Sequence, residues 1–233
     1  MEEQAIRYLS EDPLLHMDML EGIRLGEARL LCVEQGGVLL FHKACGAVMM
    51  SAADEETARR MLAESPCAGL FVAHQAFYLS TVQALYPFSR TLVCRQAVYR
   101  GKKPLAPAPC AAEIRRLNGR FLPFLMEHYT HADDESYLRE RLEQGAMFGA
   151  FVQDACAGFI GTHAEGSIGM LEVLPEFRRR GIAAALETFL VNALLHEDRV
   201  PFAQIVTGNA ASFSLHKKLG FDFSSGTLCW LFD

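Results

Sequence analysis

Apolar and polar positions along the chain change period several times, and each change marks an element. Residues 3–26 carry apolar positions at helical spacing, with Asp12-Pro13 setting a helix start inside the stretch. Two short apolar runs, 30–33 and 38–41, flank Glu34-Gln35-Gly36-Gly37, which predicts a hairpin. A strand is expected at 47–50. Ser51 and Asp54 then give residues 51–64 the look of a capped helix. Strand, helix and strand follow at 69–73, 77–86 and 91–99.

Residues 101–110 include the run GKKPLAPAP, with three prolines, two lysines and no periodicity, and predict a linker. A new unit begins beyond it. The pattern predicts a strand at 113–117, helices at 121–129 and 135–143, and strands at 147–152 and 157–162 joined at Gln153-Asp154. Then come a strand at 168–174, a helix from Ile182, a strand at 202–206, a helix at 209–219, and strands through Phe223 and at 228–232. The expected organisation is α/β throughout, with one domain at 1–100 and another at 111–233. The halves echo each other at an offset of 133 residues, Phe88 matching Phe221, which predicts a tandem repeat of one unit.

Composition narrows the class. Half the 233 residues are apolar and the net charge is −6, which fits a globular protein and argues against a general nucleic-acid binder. Seven cysteines, odd in number and never spaced CxxC, predict reduced thiols and no zinc site. No apolar run approaches membrane-spanning length, and MEEQ is not followed by a secretory h-region, so a cytoplasmic location without a membrane partner is expected.

The densest chemistry lies in LEVLPEFRRRGIA, residues 171–183. An apolar strand ends at Pro175, Arg178, Arg179 and Arg180 precede Gly181, and Ile182, Leu186, Phe189 and Leu190 begin a helical stripe. The first turn of a helix offers unpaired N–H groups and partial positive charge. Gly181 lets an anion approach the backbone, and arginines add bidentate contacts. A pyrophosphate suits that arrangement. Downstream, Asn209 is a good N-cap and Gly220 a good C′ residue. Ala211, Leu215 and Leu219 are expected to form the buried stripe of this helix, while Asn209, Ser212 and His216 share another face.

RRRGIA followed by NAASFSLHKKLGF resembles the two signature segments of the GNAT superfamily of N-acetyltransferases, over roughly residues 113–233. The phosphate-loop pattern falls on Arg178, Gly181 and Ala183, and the helix pattern on Asn209, Ser212, His216, Lys218, Gly220 and Phe221. The resemblance implies a GNAT-type mixed, mostly antiparallel sheet flanked by helices. It implies acetyl-CoA as cosubstrate, its pyrophosphate on the 178–183 loop and its pantetheine arm along Val173 and Leu174. It also implies a bulge in that strand, which would suit the end next to Pro175. Where the family carries a tyrosine that protonates the departing thiolate, this chain has His216, the candidate acid; Glu172 beside the strand is the candidate base.

The first half resembles a degenerate copy of the same unit. Asp54, Glu55 and Glu56 stand at its corresponding helix start, and carboxylates there repel a pyrophosphate. Tandem organisation of this kind is similar to the glycine N-acyltransferase-like branch, which implies an amino acid or small amine as acceptor. The expected activity is transfer of acetyl from acetyl-CoA to a primary amine by direct attack in a ternary complex, without a metal. The alternative is a CoA-binding regulatory or scaffolding module that no longer turns over. Asp133, Asp134 and Glu135 lie toward the implied acceptor side. His16, His42, His74, His128, His131, His163 and His196 show no metal-ligand spacing and are expected to be surface or satisfied core groups.

Overall fold

A computed structural model describes residues 1–65, 69–130 and 134–233; Cys67, His131 and Asp133 lie outside the described residues. The chain forms two compact units. The first holds Met1–Val98, Gln204–Phe213 and Asp222–Asp233, the second Tyr99–Ala203 and Ser214–Phe221. The break after Val98 falls near the expected linker at 101–110. Two later segments, expected in a second domain at 111–233, pack instead with the first unit, because the chain's last strand finds its ladder partners there.

The first unit opens with helices α1 (Glu2–Leu9) and α2 (Met17–Arg24), then β1 (Ala28–Glu34), β2 (Gly37–His42) and β3 (Ala47–Ala52). Helix α3 (Glu55–Ala63), β4 (Leu70–Ala73), α4 (Leu79–Leu85) and β5 (Arg90–Val98) follow. Asp54, not Ser51, caps α3: its carboxylate accepts from Thr57 N–H at 2.8 Å, while Ser51 is the buried penultimate residue of β3.

The second unit contains β6 (Glu113–Arg116), α5 (Leu122–His128), α6 (Glu135–Glu143), β7 (Met147–Val152), β8 (Ala155–Thr162), β9 (Ile168–Val173) and α7 (Ile182–His196). Strand β10 (Phe202–Val206) and helix α8 (Ala210–Lys218) each begin in one unit and end in the other; β11 (Asp222–Phe223) and β12 (Leu228–Phe232) complete the first.

In the first unit the strand order is β1-β2-β3-β4-β12-β5, with β11 also on β5; β3 and β4 pair in parallel, and the other pairs named run antiparallel. Strands β2 and β3 are buried on both faces, which is why they read as continuous apolar runs rather than alternation. Leu39, Met50 and Phe71 pack with Met61, Tyr78 and Val82 on one face; Leu40, Met49 and Val72 pack with Leu9, Met19 and Ile23 on the other.

A polar network lies within this core. His74 reaches Asp18 through Nε2 at 2.9 and 3.1 Å and the Met50 carbonyl through Nδ1 at 3.1 Å, so both ring nitrogens lie against oxygen acceptors. The side-chain amides of Gln96 and Gln204 also donate to Asp18, each at 3.1 Å.

In the second unit β6, β7, β8 and β9 form an antiparallel run, and β10 joins β9 in parallel. Helices α5 and α6 cover one face, where Leu125, Leu138, Leu142, Phe159 and Met170 form a core. Helix α7 buries Ile182, Leu186, Leu190 and Leu194 and packs against β7, β8 and β9. The Pro-rich segment is held there: Asn192 accepts from Leu105 N–H at 2.7 Å and donates to its carbonyl at 3.0 Å.

Candidate active site

Strand β9 is irregular at one place. Gly161 pairs with Gly169 and Phe159 with Glu172, so Ile160 alone stands opposite both Met170 and Leu171. That is a β-bulge, and Met170 within it has a φ of 51°. A left-handed methionine costs about 1–2 kcal/mol, held in place by burial of its side chain at 3% exposure. The bulge was expected next to Pro175 and lies instead at Met170–Leu171. Pro175 stops the strand simply by opening a short 3₁₀ turn, Pro175–Phe177. On its other edge β9 pairs with β10 only at Ile168, opposite Ala203. From Gly169 to Val173 that edge has no ladder partner among the described residues, although the Val173 carbonyl is taken by the Arg178 side chain.

The turn after β9 joins three arginines to the start of α7. Arg179 and Gly181 both have positive φ, 61° and 81°, and Gly181 is the N-cap of α7 without a capping side chain. No acidic residue lies in the first turn of α7, which opens with Ile182 and Ala183. Arg178, Arg179 and Arg180 are exposed. Arg178 donates through Nε to the Val173 carbonyl at 3.0 Å, tying the turn to the end of β9, and Arg180 lies over the Phe177 ring at 5.5 Å. A Cβ on Gly181 would sit 3.1 Å from the Pro109 carbonyl oxygen, a tight approach that adds to the positive φ in favouring glycine. Val173 and Leu174 are half-buried behind this turn.

Glu172 projects on the α5–α6 face, where its carboxylate accepts from the Thr130 hydroxyl at 2.7 Å. Tyr129 lies close by; burial, and then the Glu172 charge, push its hydroxyl up to about 12. Neither Tyr129 nor Thr130 carries a signal in the sequence, because both end a helix whose approach to β9 is non-local.

Helix α8 differs from its sequence reading. His216 is its buried residue, Ala211 is exposed, and Leu215 and Leu219 are only half-buried. His216 therefore turns inward, away from the shared polar face expected for Asn209, Ser212 and His216. Its ring stands edge-on to Phe221 at 4.7 Å, with Nε2 3.2 Å from a Glu187 carboxylate oxygen. Glu187 is 1% exposed on an otherwise apolar helix face, and a lone acid on that stripe was its available signal. Asn209 caps α8 through a 3.0 Å bond from Ser212 N–H; both residues belong to the first unit, whereas the 178–183 turn belongs to the second.

Residues 145–231 match the FR47-like protein family. No curated protein matches the sequence. Among solved structures, a Drosophila protein superposes with a TM-score of 0.67 at 17% identity, over 100% of this chain and 87% of its own. A GCN5-related N-acetyltransferase from Kribbella flavida gives 0.59 at 12% identity, covering 94% of this chain and 95% of that one. A GCN5-related N-acetyltransferase-like protein from Streptococcus suis gives 0.58 at 11%, with both chains fully covered. The chain therefore has the fold of the GNAT acetyltransferases, with an FR47-like segment over residues 145–231.

Proposed function

We propose that the protein is an acetyl-CoA-dependent N-acetyltransferase acting on the primary amine of a small molecule or amino acid, by direct attack in a ternary complex. The observation that carries this reading is the continuity of two devices: a bulged strand with one open edge runs directly into an uncapped helix start beside three arginines. The donor set fits the cosubstrate. Backbone N–H groups at Ile182 and Ala183, with Arg178–Arg180, suit a pyrophosphate. The edge of β9 without a ladder partner, its Val173 carbonyl held by Arg178, suits the amides of a pantetheine arm, and a β9 N–H near the bulge would donate to the thioester oxygen as charge develops there.

Glu172, held by Thr130, takes the proton of the acceptor amine. A thiol has an ordinary pKa near 8.5, so the leaving group needs little help from an acid. We assign His216 to holding α8 against α7 through Glu187, in place of the proton-donor role its position in the motif implies. Its burial also favours a second reading, a CoA-binding module without turnover. One experiment tests both: incubation with acetyl-CoA and a panel of primary amines, with the acetylated product read by mass because free thiols would confuse a CoA-thiol assay. Acetylated amine supports the transferase; acetyl-CoA binding without product from any amine leaves the module.

A further inference from the structure

The bulge in β9 does more than interrupt a ladder. In a regular strand, residues 169 and 172 point to opposite faces. Here Gly169 stands opposite Gly161 and Glu172 opposite Phe159, and residues 159 and 161 of β8 share a face, so the extra residue brings Gly169 and Glu172 onto the same side. That side is the one covered by α5 and α6, where Phe159 and Met170 are buried with Leu125 and Leu138.

His163 occupies the space over Gly169. A Cβ on Gly169 would lie 2.6 Å from His163 Cδ2 and closer still to Nε2, so only glycine lets the ring rest on the strand. The ring's orientation is fixed from α6. Tyr137 stacks on it at 6.2 Å with an interplanar angle of 18°, and the Tyr137 hydroxyl is 3.0 Å from Nδ1. That hydroxyl also accepts from Ala164 N–H at 3.2 Å. The turn carrying the imidazole is closed by His163 N–H to the Ser167 carbonyl at 2.8 Å and Gly166 N–H to the His163 carbonyl at 2.9 Å. Among the described residues Nε2 has no hydrogen-bond partner, and His163 remains half-buried rather than sealed.

We infer that His163 is a specificity-determining residue of the acceptor site: it and Glu172 bracket the bulge on one face, and, with the Tyr137 hydroxyl donating to Nδ1, His163 Nε2–H donates to a carbonyl or carboxylate oxygen carried by the acceptor amine. This rests on the transferase reading and narrows it to amines that bear such an oxygen, as amino acids and their amides do. Glu172 faces the amine and His163 faces the oxygen. Tyr137 is a positioning residue, acting through the ring.

The test compares amines matched in size, glycine and glycinamide against ethylamine and propylamine. Loss of a hydrogen bond to a charged or strongly polar partner predicts that His163→Leu lowers the kcat/KM preference for oxygen-bearing amines about 10- to 100-fold, mostly through KM. His163→Gln, which keeps an N–H donor, retains most of the preference, and Tyr137→Phe gives an intermediate loss. Equal effects of His163→Leu on both amine classes, or no effect, overturn the inference. Calorimetry on CoA-loaded protein separates this from failure of the transferase reading. A binding preference for glycinamide that His163→Leu abolishes upholds His163 even without turnover; the absence of any such preference overturns it.

Discussion

His216 Nε2 and the Glu187 carboxylate meet at 3.2 Å inside the second unit, with 4% and 1% of their side chains exposed. The contact is close enough for an ion pair but poorly aligned for a hydrogen bond. Removing one member of a buried ion pair typically costs about 3–5 kcal/mol, whereas replacing both by apolar groups is often neutral. His216→Phe and Glu187→Leu should each destabilise by that order, and the double variant by clearly less than their sum. Urea unfolding of the four proteins in a double-mutant cycle measures this. Additive losses would show that the two side chains do not act together. The same result governs tests of catalysis, since a His216→Phe protein with low activity is informative only beside the double variant.

Acid sensitivity should arise in the first unit at His16. Burial, and then the charge of His74, lower its pKa from 6.5 to about 4. The folded state thus binds this proton later than the unfolded chain does. The stability is fully present above about pH 6.5 and is lost as pH falls toward 4, by about 3 kcal/mol in total. Asp18 acts lower on the scale. Burial alone would raise its pKa, but the His74 charge and the hydrogen bonds from His74, Gln96 and Met19 outweigh it, and the net shift is downward from 3.8. Its contribution is therefore present above that value and fades only as pH falls below it. Urea unfolding from pH 7 to 4 should give a slope that His16→Gln flattens. An unchanged slope would move the acid-sensitive group elsewhere.

Cofactor stoichiometry should be one acetyl-CoA per chain. Helix α3 of the first unit already has Asp54 bonded to Thr57 N–H, Glu55 and Glu56 in its first turn, and no arginine at its start. That hydrogen bond is the main reason the Asp54 carboxyl sits below its ordinary value, so the helix end is filled by the chain's own anion. Helix α7 starts with Gly181 and no such group. Gly181→Ala, which meets both a positive φ and the Pro109 carbonyl, should cost about 1–2 kcal/mol in stability and weaken acetyl-CoA binding. Calorimetric titration reads both; two equivalents bound, or unchanged affinity in Gly181→Ala, would remove the anion site from this turn.

The sequence makes the elements around residues 168–206 legible because their signals are local: Pro175 ends a strand, glycine follows three arginines, and apolar residues then recur at helical spacing. Helix α6 is likewise found at the expected residues 135–143. What escapes depends on partners distant in the chain. The bulge falls on Met170, where no glycine advertises a positive φ. The face that α8 buries is set by Glu187 and Phe221, so its apolar leucines mislead. Strand β12 has ordinary strand character, yet its pairing with β4 and β5, well over a hundred residues earlier, takes it out of the unit its neighbours suggest.

The last prediction concerns Glu172, which stands on the same face as the bulge with one oxygen bound by Thr130. If this carboxylate takes the acceptor's proton, an ammonium can bind and be deprotonated in place. Glu172→Gln keeps the shape and the Thr130 contact but removes the base, and the loss should be about 10²- to 10⁴-fold in kcat near neutral pH. Acetyl-CoA affinity should not change, because the glutamate lies on the α5–α6 face and the anion turn beyond the end of β9. The deficit should also shrink with pH. Without a base the enzyme depends on amine already neutral in solution, a fraction that rises about tenfold per pH unit below the amine's own pKa. The variant's kcat/KM should climb along that line while the parent's stays flatter. Thr130→Val should cost about tenfold or less, the scale of one hydrogen bond to a charged group. Parallel pH profiles for Glu172→Gln and the parent, separated by a constant factor, would show that Glu172 orients the acceptor without taking its proton.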